Sequence, residues 1–368
     1  MKKVIKMNLR ENLFCVLRGK KPENVPWFAD LSWWYHAEKK QKKLSPEFDG
    51  DGIVNLYRYF GCGIYLPLVS VYRLEIDCKM EIKHEGNNEI RTYLTPYGEL
   101  REVIKELPDT FTVFYEERLL KSGSDLKALK YFLESINYYP EYSEAERLDN
   151  LYDGQGTIIV CLPRTPLSRF VVELAGIEAT TYAAFESPAE FNQIIKVMEK
   201  KDDEAYKIAS KSPGVLVMFP DNLSSEVISP RLFSQFSLEY YQYRNQELHE
   251  NGKITTVHID GTLRGLLPVL ARSGVDCVEG LTPYPIGDTK PEELRQLTNH
   301  EMVLWGGIPG VMFTKNWKME AFESYVHTYL EAMKSNYRFV LGVGDQVPPN
   351  SEMERVKRVS EIVGSFNL

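Results

Sequence analysis

The stretch Ile254-Thr255-Thr256-Val257-His258-Ile259-Asp260-Gly261 decides how this chain is read. Residues Ile254 to Val257 have the β-branched make-up of a buried strand, and the polar His258 and Asp260 then lead through Gly261 into a helical pattern. Downstream, two acidic residues close apolar strands in the same manner. They are Glu279 after Val275-Asp276-Cys277-Val278, and Asp345 soon after Phe339-Val340-Leu341. If these strands are neighbours in one parallel barrel, an imidazole and three carboxylates converge on the C-terminal rim, where such barrels carry their chemistry. Close like charges and desolvation both disfavour ionised carboxylates, so a cation is their natural companion. His258, Asp260, Glu279 and Asp345 are therefore the candidate metal ligands and catalytic groups.

Working outward, strand and helix alternate from about residue 157 onward. Thr157-Ile158-Ile159-Val160, Val215 to Phe219, Ile254 to Val257, Val275 to Val278, Met302 to Trp305 and Phe339 to Leu341 read as strands. Helical patterns fall between them: one from about Pro230 to Glu250, Leu263 to Arg272 with a kink at Pro268, Pro291 to Leu297, and Lys318 to Lys334. Ser351 with Glu354 reads as a capping box for a last helix. Upstream, Met7 to Arg18 has helical spacing, and Val25 to Asp30 reads as a buried strand entering an aromatic loop, Trp33-Trp34-Tyr35. Alternation at Leu74 to Asp77, a turn at Gly86-Asn87-Asn88 and the run Ile90 to Leu94 predict a hairpin insertion over about 72–96. The expected fold class is α/β. It is a single (β/α)8 TIM barrel domain over 1–368, with an N-terminal helical segment and that hairpin.

Composition excludes several functions. With 43% hydrophobic and 26% charged residues the chain reads as an ordinary globular enzyme. A formal net charge of −8 is the wrong sign for a nucleic-acid binder. No apolar run reaches membrane-spanning length, and the basic N-terminus lacks the apolar core of a secretory signal. Five scattered cysteines without a CxxC pair suggest a reducing compartment, so a cytoplasmic location is expected. No GxGxxG or P-loop fingerprint is present.

Several motifs in order carry a family resemblance. His258-Ile259-Asp260-Gly261, Leu266-Leu267-Pro268-Val269-Leu270, Gly274-Val275-Asp276, Trp305-Gly306-Gly307-Ile308-Pro309 and Leu341-Gly342-Val343-Gly344-Asp345-Gln346-Val347-Pro348-Pro349 resemble the core of the uroporphyrinogen decarboxylase superfamily. The likeness runs from about Val25 to the C-terminus and is strongest after Ser212. It implies a (β/α)8 fold shared by decarboxylases and by methyltransferases of corrinoid pathways. The decarboxylases carry an arginine-rich MRQAGRY segment after the first strand; the matching Phe28-Ala29-Asp30-Leu31-Ser32-Trp33-Trp34-Tyr35 has no arginine. A substrate with many carboxylates needs such bidentate cations. The methyltransferase branch holds zinc with a His-x-Cys pair, an acidic residue and a late Gly-Cys. His258 and Glu279 match the first and third ligands, while Asp260 and Asp345 stand where the two cysteines would be.

Carboxylates in place of thiolates make a harder site. The resemblance then implies a metal-dependent methyltransferase with a divalent metal, zinc first. It would move a methyl group from a small methylated donor, such as a methyl ether in O-demethylase systems, to a corrinoid (cobalamin) on a corrinoid-binding protein. Asp30, Trp33, Trp34, Tyr35, Asp221, Tyr284, Asp288 and Trp305 are the candidate substrate-binding residues. Other readings stay open for individual residues. Asp260 and Asp288 are also helix-cap types, His258 fits a core histidine, and Asp345 fits turn chemistry. The remaining histidines read mostly as solvated. A decarboxylase or lyase acting on a non-porphyrin acid would need Arg164 or Arg264 as cationic grips, and a non-catalytic binding barrel is the third alternative. The oligomeric state is left open, a homodimer included.

Overall fold

The computed structural model describes residues 6–368. They form two compact units. The first comprises the chain up to Val69, Ser143–Cys161 and Pro213–Leu368; the second comprises Ser70–Tyr142 and Leu162–Ser212.

In the first unit, the helix Leu9–Leu17 begins with a capping box between Asn8 and Glu11. Strand β1 (Trp27–Phe28) follows. The chain then enters the second unit with β2 (Tyr72–Ile76), β3 (Lys79–Glu85), β4 (Asn88–Thr95), β5 (Gly98–Leu107), β6 (Thr112–Glu117) and β7 (Ile136–Pro140). Strands β3 to β6 make an antiparallel sheet in chain order, and β2 pairs with β7. The expected hairpin is real at Glu85↔Asn88, but it is only half of a four-stranded sheet. Leu74 lies outside it, opposite Tyr138 on β7. That partner is remote in sequence, and β5 and β6 are too charged and exposed to stand out as apolar runs.

The first unit resumes with β8 (Ile159–Cys161), β9 (Leu216–Leu223), β10 (Ile254–Ile259), β11 (Cys277–Leu281), β12 (Val303–Pro309) and β13 (Phe339–Gly344). These strands and β1 form one parallel sheet in the order β1-β13-β12-β11-β10-β9-β8. Residues 63–69 close it into a ring. Gly63 bridges to Phe28 on one side, and Ile64 and Val69 bridge to Gly156 and Val160 on the other, all parallel. Backbone bonds such as Val69 N–H to the Ile159 carbonyl (2.9 Å) secure the closure. This eighth position was not legible as a strand, because Pro67 has no N–H and cuts the short run Ile64-Tyr65-Leu66. The expected (β/α)8 barrel is present.

Parallel strands buried on both faces read as continuous apolar runs. Phe28, Tyr65, Met218, Cys277, Trp305 and Val340 belong to one core cluster. The helix Leu9–Leu17 adds Leu13 and Val16 to it, beside Leu216 and Val303, which open β9 and β12. Each such large side chain contributes about 1.5–3 kcal/mol by leaving water.

Three local expectations are corrected. The helix predicted around Pro268 is only Leu267–Leu270, with the proline in its first turn, where a missing N–H costs nothing. The segment from Pro230 to Glu250 is two helices, Pro230–Phe236 and Leu238–Glu250. The last helix, Glu354–Ser365, starts after Met353 without a side-chain cap, because Ser351 sits in an antiparallel bridge with Thr314. Among the described residues no helix is long and apolar enough to cross a membrane. All five cysteines are free.

Candidate metal centre

Strand register sets the first contact. β10 and β11 pair in parallel with His258 opposite Glu279, so their side chains emerge side by side. His258 Nδ1 lies 2.6 Å from Glu279 Oε2. Past the end of β10, the Asp260 N–H still reaches the Leu223 carbonyl of β9 at 2.7 Å. That bond holds Asp260 Oδ1 3.6 Å from His258 Nε2. Asp345 follows β13 with φ +62°, a left-handed conformation that Asp tolerates better than most residues. Its Oδ1 stands 3.8 Å from the same nitrogen. One ligand atom each from His258, Asp260 and Asp345 lie within 4.8 Å of one another.

Glycine makes the imidazole's position feasible. Gly280 has φ +86°, and a Cβ there would lie 2.9 Å from His258 Cε1 and 2.7 Å from the Ile259 carbonyl oxygen. Any side chain at 280 would displace the ring.

Electrostatics are uneven around the cluster. Burial opposes charge on His258, yet the carboxylates of Glu279 and Asp260 outweigh it and hold the imidazole well above its ordinary pKa. Asp345 is pushed up to about 6, by burial first and then by Asp260, Asp30 and Glu279, with His258 opposing. Asp30, buried at the end of β1, is also raised to about 6 by burial, although Ser32 and Gln346 bond to it and pull the other way. Asp260, Glu279, Asp345 and Asp30 thus gather around one imidazole at the mouth of the barrel.

Glu279 stands differently from the two aspartates. It is not one of the three converging ligands; it sits behind the ring and accepts from Nδ1. Its other oxygen, Oε1, accepts from the buried Tyr65 hydroxyl at 2.9 Å. Asn222, with φ +50°, donates from Nδ2 to Asp260 Oδ2 at 2.6 Å, leaving Oδ1 as the oxygen nearest His258. Sequence reasoning missed both Tyr65 and Asn222. Asn222 follows Asp221 directly after an apolar strand, and that signal could have found it.

The candidate substrate residues separate. Asp221 is buried and accepts from Tyr241 at 2.6 Å. Asp288 accepts from the backbone N–H groups of Leu263 and Arg264, at 2.8 and 3.2 Å, so it caps that turn. Trp33, Trp34 and Tyr35 lie on the helix Ser32–Lys40 instead of a loop. Trp34 meets Phe60 edge-on, and the Tyr35 hydroxyl reaches the Phe48 carbonyl. Trp305 is wholly buried and packs on Phe28 and Tyr65, with centroids 5.6 and 4.7 Å away, so it is part of the barrel's interior. Tyr284 is exposed. Among the other histidines, His249 is not simply solvated, since its Nε2 lies 2.7 Å from Asp276.

The donor set fits a divalent ion. One imidazole nitrogen and two carboxylate oxygens are three protein ligands, the number a catalytic zinc site uses while keeping a position open. With no sulfur, the set also accepts harder ions. Glu279 behind His258 supplies the carboxylate that commonly orients a metal-binding histidine.

Comparisons with known proteins agree with this architecture. A family model described as uroporphyrinogen decarboxylase (URO-D) matches residues 167–366. No curated protein matches the chain. A solved structure described as a methyltransferase from Methanosarcina mazei is similar over 98% of this chain and 99% of its own, with a TM-score of 0.63 and 12% identity. At that identity it shows a shared fold. A ribulose-1,5-bisphosphate carboxylase/oxygenase from Pyrococcus horikoshii OT3 aligns over 64% of this chain and 48% of its own, at TM-score 0.30 and 11% identity, and adds nothing further. Because the matched region spans the strands that carry His258, Glu279 and Asp345, as well as more than half of the chain, this protein belongs to the uroporphyrinogen decarboxylase family.

Proposed function

We propose that this chain is a metal-dependent methyltransferase, taking a methyl group from a small methylated donor to a corrinoid on a separate protein. The convergence of His258 Nε2, Asp260 and Asp345 within 4.8 Å is the observation that carries this reading. A methyl ether is the favoured donor, since a divalent ion held by three nitrogen and oxygen ligands would supply Lewis acidity toward an ether oxygen. His258, Asp260 and Asp345 would hold the divalent ion, which would make the departing oxygen a better leaving group, and the reduced corrinoid of the partner protein would supply the electron pair that accepts the methyl group. The protein's own part is positional. Glu279 fixes His258 through Nδ1 so that Nε2 faces the two aspartates. Asn222 turns Asp260 by binding its second oxygen.

The decarboxylase alternative is weakened by where its cations sit. Arg264 is exposed and engaged by Glu293 at 2.6 Å and by the Asp288 carbonyl. Arg164 pairs with Glu173 within the second unit. An acidic mouth repels a carboxylate substrate. Metal analysis of the purified protein, with methyl-ether turnover against reduced cobalamin, tests the proposal. Bound zinc or a similar ion and methylcobalamin formation are expected; a protein that binds no divalent ion and transfers no methyl group would refute it.

A further inference from the structure

Tyr65 lies on the segment that closes the barrel, outside every motif singled out in the sequence. Its ring is buried and clamped: Trp305 packs on it at 4.7 Å and Phe28 meets it edge-on at 6.4 Å. Aromatic packing on this scale leaves the phenol little freedom. The hydroxyl therefore points in a direction set by the core, and there it donates to Glu279 Oε1 at 2.9 Å. Glu279 is itself only 4% exposed, with its other oxygen 2.6 Å from His258 Nδ1. A buried carboxylate that loses one of two donors is left with an undersatisfied oxygen, and it turns to relieve this.

We propose that Tyr65 is a positioning residue: it locks Glu279, and through Glu279 it fixes the His258 ring with Nε2 facing Asp260 and Asp345. The relay Tyr65–Glu279–His258 couples the packed interior of the barrel to its reactive mouth. Position 65 thereby sets how well the three ligands hold an ion, without touching substrate or ion. This inference rests on the proposed metal site for its consequence, but the orienting contact is measurable without any metal.

The test compares the full-length protein with Tyr65→Phe, which keeps the ring and removes only the hydroxyl. Tyr325→Phe serves as control, since it deletes another tyrosine hydroxyl bond, to the Gly307 carbonyl at 3.0 Å. Two readouts are taken, each with thermal unfolding as a check on folding. The first is the hydrogen-bonded Nδ1–H resonance of His258 in metal-free, histidine-labelled protein, assigned by its loss in Glu279→Gln. The second is the affinity for zinc alone, by competition with a chromophoric chelator. Tyr65→Phe is expected to shift or broaden the resonance and to weaken zinc roughly 10–100-fold, the usual cost of losing an outer partner. Tyr325→Phe should change neither. An unchanged resonance in Tyr65→Phe, or zinc affinity within about twofold of wild type in a protein that binds zinc, overturns the proposal. If the wild type binds no ion yet the resonance still responds to Tyr65→Phe, the positioning role stands and the metal-dependent function falls.

Discussion

The strands β10 and β11 carry a histidine–carboxylate pair at each end, and the two pairs behave differently. At one end, His249 lies just upstream of β10 and Asp276 just before β11, with Nε2 and Oδ2 2.7 Å apart. At the other, His258 and Glu279 meet at 2.6 Å through Nδ1. The Asp276 carboxylate is well supplied, since it also accepts from the Thr255 N–H at 2.7 Å and the Thr255 hydroxyl at 3.1 Å. Glu279 is likewise satisfied by Tyr65. The contrast lies in the second nitrogen of His258, which faces two further carboxylates, Asp260 at 3.6 Å and Asp345 at 3.8 Å. One pair is closed on itself, while at the other a single imidazole is shared among three carboxylates. Conservation of a barrel's N-terminal end serves stability, and its C-terminal end serves chemistry.

This contrast can be broken most sharply by deleting each imidazole. His258→Ala should lose divalent-ion binding beyond the roughly 10–100-fold cost of an outer partner, and methyl transfer with it. Metal content and turnover measure this, and the thermal midpoint should fall too, because the buried Glu279 loses its partner at Nδ1. Glu279→Gln should come next, weakening ion affinity about 10–100-fold, because the glutamine still fills the space but no longer offers a charged acceptor to Nδ1. A Glu279→Gln protein with full affinity would mean that the two ends are alike.

His249→Ala should leave affinity and turnover unchanged and lower stability by under about 1 kcal/mol, as expected for a partly exposed pair, read from urea unfolding. The smallest effect is in pH. The bond to Asp276 raises the His249 pKa, against a smaller contribution from burial. A raised histidine pKa contributes stability in full below the unfolded value near 6.5, and the contribution is lost as pH climbs through the folded value. The stability difference between wild type and His249→Ala should therefore be larger at pH 6 than at pH 9. A difference that grows toward pH 9 would contradict the assignment.

Much of the barrel was legible because parallel strands buried on both faces leave an unmistakable apolar run, as at Phe339 to Leu341 and Val215 to Phe219. Residues 63–69 escaped because Pro67 interrupts them and their partners, Phe28 and Val160, are distant in sequence. For the candidate site, the rule that chemistry follows strand ends selected His258, Asp260 and Asp345, which the fold brings together. The same rule also selected Asp221 and Asp288, whose oxygens go to Tyr241 and to backbone N–H groups. Polar residues at strand ends cap turns as readily as they bind ligands, and only the partner each one meets distinguishes the two.

Alone, the sequence determined the repeating strand–helix order, the family and the residues at the barrel's rim, because periodicity and motif are properties of neighbours along the chain. Only the tertiary structure decided that Glu279 stands behind His258 instead of beside it, that Trp305 is interior packing, and that Tyr65 closes the relay. Those outcomes depend on strand register, ring closure and side-chain direction, which are fixed when segments far apart in sequence are brought within hydrogen-bonding distance.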